Sequence, residues 1–248
     1  MIGCLPEFCL AQPDARALGL ARALPAGEQL GVGASVERRF GLVQSAGLFA
    51  GRQIGTAQVR GRLGATSAGP YDAIQGGFAW RQPLVPALWL EVNVEGERVG
   101  VDGRSPAWTH ALAIGVGVRV APAAQVQLRA DALAPADHAS RLNASLEVHL
   151  SSAMSAWIAL EKDVRRPASL RVAFEHVLAE VLALRAGWQD QPAMLTLGLG
   201  LRTGKARVDF AGYRHAALGW SEALGVWWGD EGIRVQGERV QGEGGRDE

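Results

Sequence analysis

Apolar and polar side chains alternate along most of this chain. In residues 193–213, leucine occupies every second position from Leu195 to Leu201, with small or polar residues between. A helix would spread these leucines around its whole circumference, so the period of two predicts a strand. Thr203 and Gly204 then supply a tight turn into a second alternating run. The segment is therefore predicted to be a β-hairpin with one continuous apolar face.

Alternating runs of about ten residues recur across residues 30–229, separated by Gly, Pro, Asp or Asn. They predict an all-β protein of about fourteen antiparallel strands. Residues 174–184 also fit an amphipathic helix, but alternation beyond Arg185 favours two strands. Outside the strands, the Ala- and Leu-rich residues 13–26 predict a short helix. We assign 1–29 to a remnant export signal and a short helix or plug, 30–229 to the barrel and 230–248 to a disordered tail.

Each predicted strand has one apolar face and one face of small, polar or ionised residues. A soluble barrel that binds a lipophile would turn the apolar face inward, whereas a transmembrane barrel turns it toward lipid. Strand lengths near those that cross a bilayer obliquely and a Gly-, Ala- and Ser-rich polar face favour the transmembrane form. Aromatic residues near strand ends fit an interfacial girdle, although scattered core positions would explain them equally well: Tyr71, Trp80, Trp108, Trp188, Tyr213 and Trp220.

Composition narrows the choice of partners. The 248 residues carry a formal net charge of zero, which argues against a nucleic-acid partner. The two cysteines, Cys4 and Cys9, lie at the start of the chain, as in exported proteins that avoid free thiols. A small cytosolic domain could show the same distribution by chance.

No catalytic or metal-binding motif is apparent. The five histidines lack metal-ligand spacing, and no Gly-x-Ser-x-Gly sequence occurs. Ser145, Glu147 and His149 share one strand face. We interpret this face as part of a polar lumen wall, which is a simpler explanation than a catalytic group. The sequence therefore predicts a non-enzymatic protein with no cofactor and no metal.

Ionised residues on the polar faces are the candidate functional residues. Because their signs nearly balance, we expect them to pair across strands instead of selecting one ion. Such pairing predicts a narrow or plugged barrel that acts as a scaffold. The proposed lumen-facing charged network consists of Glu91, Glu95, Arg119, Arg129, Asp131, Glu147, Arg171, Glu175, Arg185, Arg202, Arg207 and Asp209.

Residues 141–229 resemble outer-membrane proteins of the PorV/PorQ type, within the FadL-like group of fourteen-stranded barrels. The matching strand motifs are Leu-Glu-Lys-Asp at 160–163, Leu-Arg-Ala-Gly at 184–187, Gly-Leu-Gly-Leu-Arg at 198–202 and Arg-Val-Asp-Phe at 207–210. The resemblance implies a barrel in the outer membrane of a Gram-negative-type bacterium, with the lipid bilayer and secretion-system proteins as partners. Its implied role is protein secretion or surface attachment. The alternative is a FadL-like conduit for hydrophobic small molecules.

Overall fold

The computed structural model describes residues 31–134, 141–163, 167–215 and 218–229. They form a closed barrel in which each strand pairs antiparallel with its neighbour in sequence, and β1 pairs with β14 to complete the ring. The prediction of an antiparallel barrel of fourteen strands is confirmed. The strands are β1 (Gly31–Arg39), β2 (Val43–Ile54), β3 (Ala57–Ala68), β4 (Tyr71–Val85), β5 (Leu88–Val101), β6 (Arg104–Ala121), β7 (Ala124–Ala134), β8 (Arg141–His149), β9 (Met154–Asp163), β10 (Ser169–Leu178), β11 (Leu182–Gln189), β12 (Met194–Thr203), β13 (Ala206–His215) and β14 (Gly219–Trp228).

The predicted N-terminal helix, the remainder of segment 1–29 and the tail 230–248 lie outside the described residues. The ambiguous segment 174–184 forms the end of β10 and the start of β11. Ala179 and Glu180 in the intervening turn adopt positive φ values of 49° and 61°. These two residues interrupt the extended backbone, so the segment forms two strands and not the alternative helix.

The two ends of the barrel differ in their connections. At the end that we call the turn end, residue pairs 55–56, 86–87, 122–123 and 204–205 join strands, and Gly55 and Gly204 have φ values of 60° and 57°. Such left-handed positions suit glycine. By the strand bounds, connections at this end span two to four residues, whereas those at the opposite end, the loop end, span two to six. Transmembrane barrels have short periplasmic turns and longer extracellular loops, and this asymmetry follows the same rule.

The outer face of the barrel is apolar along its middle. Leu195, Leu197, Leu199 and Leu201 on β12 are all exposed, and exposed apolar residues continue around the other strands. On β14, Trp220 near the loop end and Trp228 at the turn end are 63% and 61% exposed. A soluble barrel would bury these side chains, so the apolar belt with interfacial tryptophans supports a lipid-facing surface.

The predicted aromatic girdle is correct for most of its members. Trp108, Trp188 and Trp220 are exposed, as is Tyr71, whereas Trp80 is half-buried. The prediction for Tyr213 is wrong. Tyr213 is only 5% exposed, and its hydroxyl donates a hydrogen bond to Glu37 inside the barrel, at 3.3 Å. Tyr213 shares the inward parity of Asp209 on β13, and this parity overrides its position near a strand end. Among the described residues, no helix has the length and apolar character needed to cross a membrane.

Candidate functional site in the barrel lumen

Most of the twelve predicted lumen charges lie on the inner wall in ion pairs. Nine of them take part in the salt bridges described below: Glu91, Glu95, Arg129, Asp131, Arg171, Glu175, Arg185, Arg207 and Asp209. Glu147 accepts a hydrogen bond from Gln125 and lies 3.6 Å from His149. Arg119 and Arg202 are exposed near the turn end, and the structure does not bring them into the described pairs.

Glu91 on β5 is the centre of the largest group. Arg81 of β4 donates from Nε at 3.0 Å, and Arg60 of β3 places Nη2 at 3.3 Å from the same carboxylate oxygen. The other oxygen accepts from Asn93 at 2.9 Å and lies 3.8 Å from Arg129 Nη1. Because the Glu91 side chain is fully buried, these contacts replace the water that an isolated carboxylate would require.

Two neighbouring groups extend this wall. Arg129 also donates to Asp131 at 2.6 Å, and Arg62 on β3 pairs with Glu95 on β5. On the next strands, Glu161 of β9 lies 2.9 Å from Arg171 and 3.3 Å from Arg141. We call this set the arginine band; it consists of Arg60, Arg62, Arg81, Arg129, Arg141 and Arg171, together with Glu91, Glu95, Asp131 and Glu161.

A second group lies on β10 to β13. Arg185 donates to Glu175 and to Asp209, each at 2.6 Å, and Arg207 donates to the other oxygen of Asp209 at 2.6 Å. All four side chains are at most 6% exposed. We call these residues the sealed cluster. Its two cations and two anions balance, so its net charge is zero.

Glycines on intervening strands provide the space for ion pairs that span two strands. In the strand register, Gly77 lies between Arg62 and Glu95. Gly200 is paired with Asp209, and Arg185 is paired with Gly198, two residues before Gly200 on the same strand. A Cβ atom on Gly200 would lie 2.6 Å from Arg185 Nη2 and 2.7 Å from Asp209 Oδ1. The long side chains therefore cross directly over bare backbone.

Replacing Gly200 with valine is expected to destabilise the barrel by about 1–3 kcal/mol, because the new side chain displaces the Arg185–Asp209 contact. Reversible urea unfolding of the barrel from lipid vesicles, monitored by tryptophan fluorescence, measures the change in the free energy of unfolding. Gly61→Val is the matched control, since a Cβ there meets nothing within 4 Å. Equal effects of the two substitutions would contradict the spacing role of Gly200.

Sequence reasoning missed several members of the wall. Arg60 and Arg62 alternate with Val59, Gly61 and Leu63, so the parity signal was present, but β3 has no continuous leucine face to draw attention to it. Glu37 and Arg39 likewise alternate with outward residues on β1, and Arg39 donates to both Glu37 oxygens, at 2.7 and 2.8 Å. Near the turn end, the ring of Trp89 lies against Gly117, with the Arg81 guanidinium 5.4 Å from the ring centroid.

The structure also places a histidine between a serine and a carboxylate. His149 Nδ1 is 2.9 Å from Ser155 Oγ, and its other ring nitrogen is 3.6 Å from Glu147. Ser145, which shares the face predicted from the sequence, is not in this group. Ser155 is buried, which denies a substrate access to its hydroxyl. Within the described residues, no group of three or more His, Cys, Asp or Glu side chains could hold a metal ion.

No protein-family model matches the chain, and no curated protein matches it. Solved structures of outer-membrane barrels do match in fold. A KdgM porin aligns with a TM-score of 0.51 at 8% identity, covering 81% of this chain and 99% of the porin. Omp33 of Acinetobacter baumannii aligns with a TM-score of 0.58 at 9% identity, covering 81% of this chain and 97% of Omp33. A mutant of Rh. blastica porin aligns at 0.50 and 7% identity, covering 80% and 98%.

These comparisons do not support the specific PorV/PorQ resemblance. They support only the outer-membrane β-barrel fold that the resemblance implies, because sequence identities of 8% and 9% show a shared fold and no specific role. The predicted outer-membrane location agrees with both the matched fold and the apolar outer belt. The chain has the fold of the outer-membrane β-barrel porins.

Proposed function

We propose that the protein is a porin-like outer-membrane barrel that passes small ionised solutes at low conductance. The observation that carries this proposal is the arginine band. Its arginine side chains are 11–23% exposed on the inner wall, so charged groups remain accessible inside the barrel. Charges of both signs on a lumen wall attract and orient ionised solutes during passage.

The expected width of the barrel is consistent with restricted passage. Eight strands enclose only their own side chains, whereas sixteen to eighteen leave an aqueous channel. Fourteen strands lie between these limits, and long arginine side chains narrow the remaining space. The sealed cluster occupies part of the wall with side chains that are almost inaccessible. We therefore expect a narrow passage on the side of the arginine band.

The ionised inner face disfavours the FadL-like alternative, because a hydrophobic solute would have to displace water from charges without replacing their hydrogen bonds. A closed scaffold that binds secretion or surface-attachment proteins at its rims is the second candidate. The near-complete burial of the sealed cluster favours it, since the wall at β10 to β13 leaves little room for solute.

Single-channel recording in planar bilayers separates the two candidates. The purified protein is expected to give a steady conductance in KCl that is smaller than that of Rh. blastica porin recorded under the same conditions. The narrow, charge-lined interior is the physical reason. Insertions that never conduct would favour the scaffold and overturn the proposed passage. A conductance equal to that of the reference porin would contradict the narrowing.

A further inference from the structure

We infer that residues 13–30 dock inside the barrel at its turn end, against a layer of inward-facing aromatic side chains, and narrow the passage there. We call residues 13–30 the leading segment; they lie outside the described residues and precede Gly31 of β1. The inference deepens the proposed function. It rests on that function only for the effect on conductance, because docking itself can be measured without a current.

Four bulky apolar side chains face the lumen in the turn-end half of their strands, although the interior of a transmembrane barrel is ordinarily polar. Each lies two positions from a buried residue on the same strand, so each shares the inward parity. Two of the four rings, on neighbouring parts of the wall, have centroids 6.4 Å apart. We call these residues the inner aromatic layer: Phe49 of β2, Trp89 of β5, Trp157 of β9 and Trp227 of β14.

The inner aromatic layer is less exposed than the wall beside it explains. Trp157 is 2% exposed and Trp227 is 5% exposed. Trp227 lies against Gly33, and Trp157 is paired with Ala173, which is itself 0% exposed. Short neighbours cannot cover a ring from the side of the barrel axis, and fourteen strands enclose more space than their own side chains fill. A further layer of chain inside the barrel accounts for this burial.

The leading segment joins the wall beside this layer. Gly33 of β1 pairs with Phe49 on one side and with Trp227 on the other. Two residues earlier, Gly31 has a φ of 137°, a value that favours glycine. The chain can therefore leave the direction of β1 at Gly31, within three residues of both rings.

Composition favours the leading segment over the tail as the occupant. Residues 13–26 are rich in alanine and leucine and contain three ionised side chains, whereas residues 230–248 contain nine. Burying unpaired charges against aromatic rings costs free energy, so the tail suits this surface poorly. As the helix that their composition predicts, residues 13–26 would be about 21 Å long. Residues 27–30 add up to about 13 Å of extended chain, so the segment is long enough to lie across the layer.

Cross-linking tests docking on the folded full chain. Cys4 and Cys9 are replaced by serine, and a cysteine pair is introduced as Leu24→Cys with Phe49→Cys. A short bismaleimide reagent is expected to join positions 24 and 49 in the folded barrel and not in the urea-unfolded chain. Mass spectrometry of the digested protein identifies the link.

The tail provides the matched control pair, Gln236→Cys with Phe49→Cys. Gln236 is seven residues from Gly229, as Leu24 is seven residues from Gly31, and both connections leave the barrel at the turn end. We expect little linking from position 236. A link from position 236 as efficient as that from position 24 would overturn the inference, as would the absence of any link from position 24.

Leu20→Asp tests whether the docking surface is apolar. In the cross-linking protein, the rate of the link between positions 24 and 49 is expected to fall at least about tenfold, because a carboxylate would be buried without a partner. Val240→Asp in the tail is the control and is expected to leave the rate unchanged. An undiminished rate in Leu20→Asp would contradict docking against the inner aromatic layer.

Conductance measures the effect of the docked segment on passage. Leu20→Asp is expected to raise the single-channel conductance in KCl above that of the wild type, whereas Val240→Asp leaves it unchanged. A link without conductance in any of these proteins would support docking and reject the proposed passage. Steady conductance without a link would overturn docking and leave the passage intact, so the two failures are distinguishable. A link with equal conductance in the wild type and Leu20→Asp would overturn the narrowing.

Discussion

Replacing Arg185 with alanine is expected to destabilise the barrel by about 3–5 kcal/mol, because the change removes a buried cation that two buried carboxylates share. Arg185 is 1% exposed and bridges Glu175 and Asp209, at 2.6 Å each. Asp209 keeps its contact with Arg207. Glu175, whose side chain is 3% exposed, loses its contact with the Arg185 guanidinium. Urea unfolding in lipid vesicles measures the loss, and heat-modifiable gel mobility reports whether the barrel still forms.

A second substitution separates two causes of the destabilisation, the loss of the Arg185 charge and the loss of its packing. Glu175→Gln in the Arg185→Ala background removes the negative charge that Arg185 contacts in the wild type, so part of the stability is expected to return. Arg52→Ala, at an exposed position, controls for the loss of any arginine and is expected to change stability by less than about 0.5 kcal/mol. If Arg185→Ala cost no more than Arg52→Ala, the sealed cluster would not be an energetic unit of the fold.

The strand pattern was predictable because one physical constraint applies to every strand. A closed barrel with lipid outside must put apolar side chains on one face, so Leu195 to Leu201 carry the same signal as the shorter apolar runs of other strands. The hairpin at 193–213 appears as β12 and β13, with Thr203 paired to Ala206 across the turn. Even the segment 174–184, which a helix could explain, is resolved by alternation that continues to Gln189.

The lumen was harder to predict, because parity gives the direction of a side chain but not its partner. Parity placed Arg185 and Asp209 on one face, but their contact depends on the register across β12 and on the bare backbone of Gly200. The girdle prediction for Tyr213 was wrong because it used the position of this residue near a strand end, whereas the parity of β13 directs its side chain inward. Arg119 precedes a register shift at the turn end of β6, where side chains reach water instead of the wall.

The sealed cluster and the arginine band have different physical roles. In the sealed cluster the charges are matched and nearly inaccessible, which fixes the arrangement of β10 to β13. In the arginine band the guanidinium groups remain partly exposed, so water and solutes can reach them. Substitutions in the sealed cluster should therefore affect folding, and substitutions in the arginine band should affect conductance.

Leu199→Arg on the outer face is expected to cost about 2–4 kcal/mol, because it places a charge near the bilayer midplane. Leu199 pairs in register with Phe210, which pairs with Leu224, midway between the exposed Trp220 and Trp228 of β14. Leu201→Arg is the shallow comparison. It lies closer to the turn end, so the added guanidinium can reach the interface and should cost less. Equal, small costs at both positions would contradict the lipid-facing assignment, as would full solubility of the wild type in buffer without detergent.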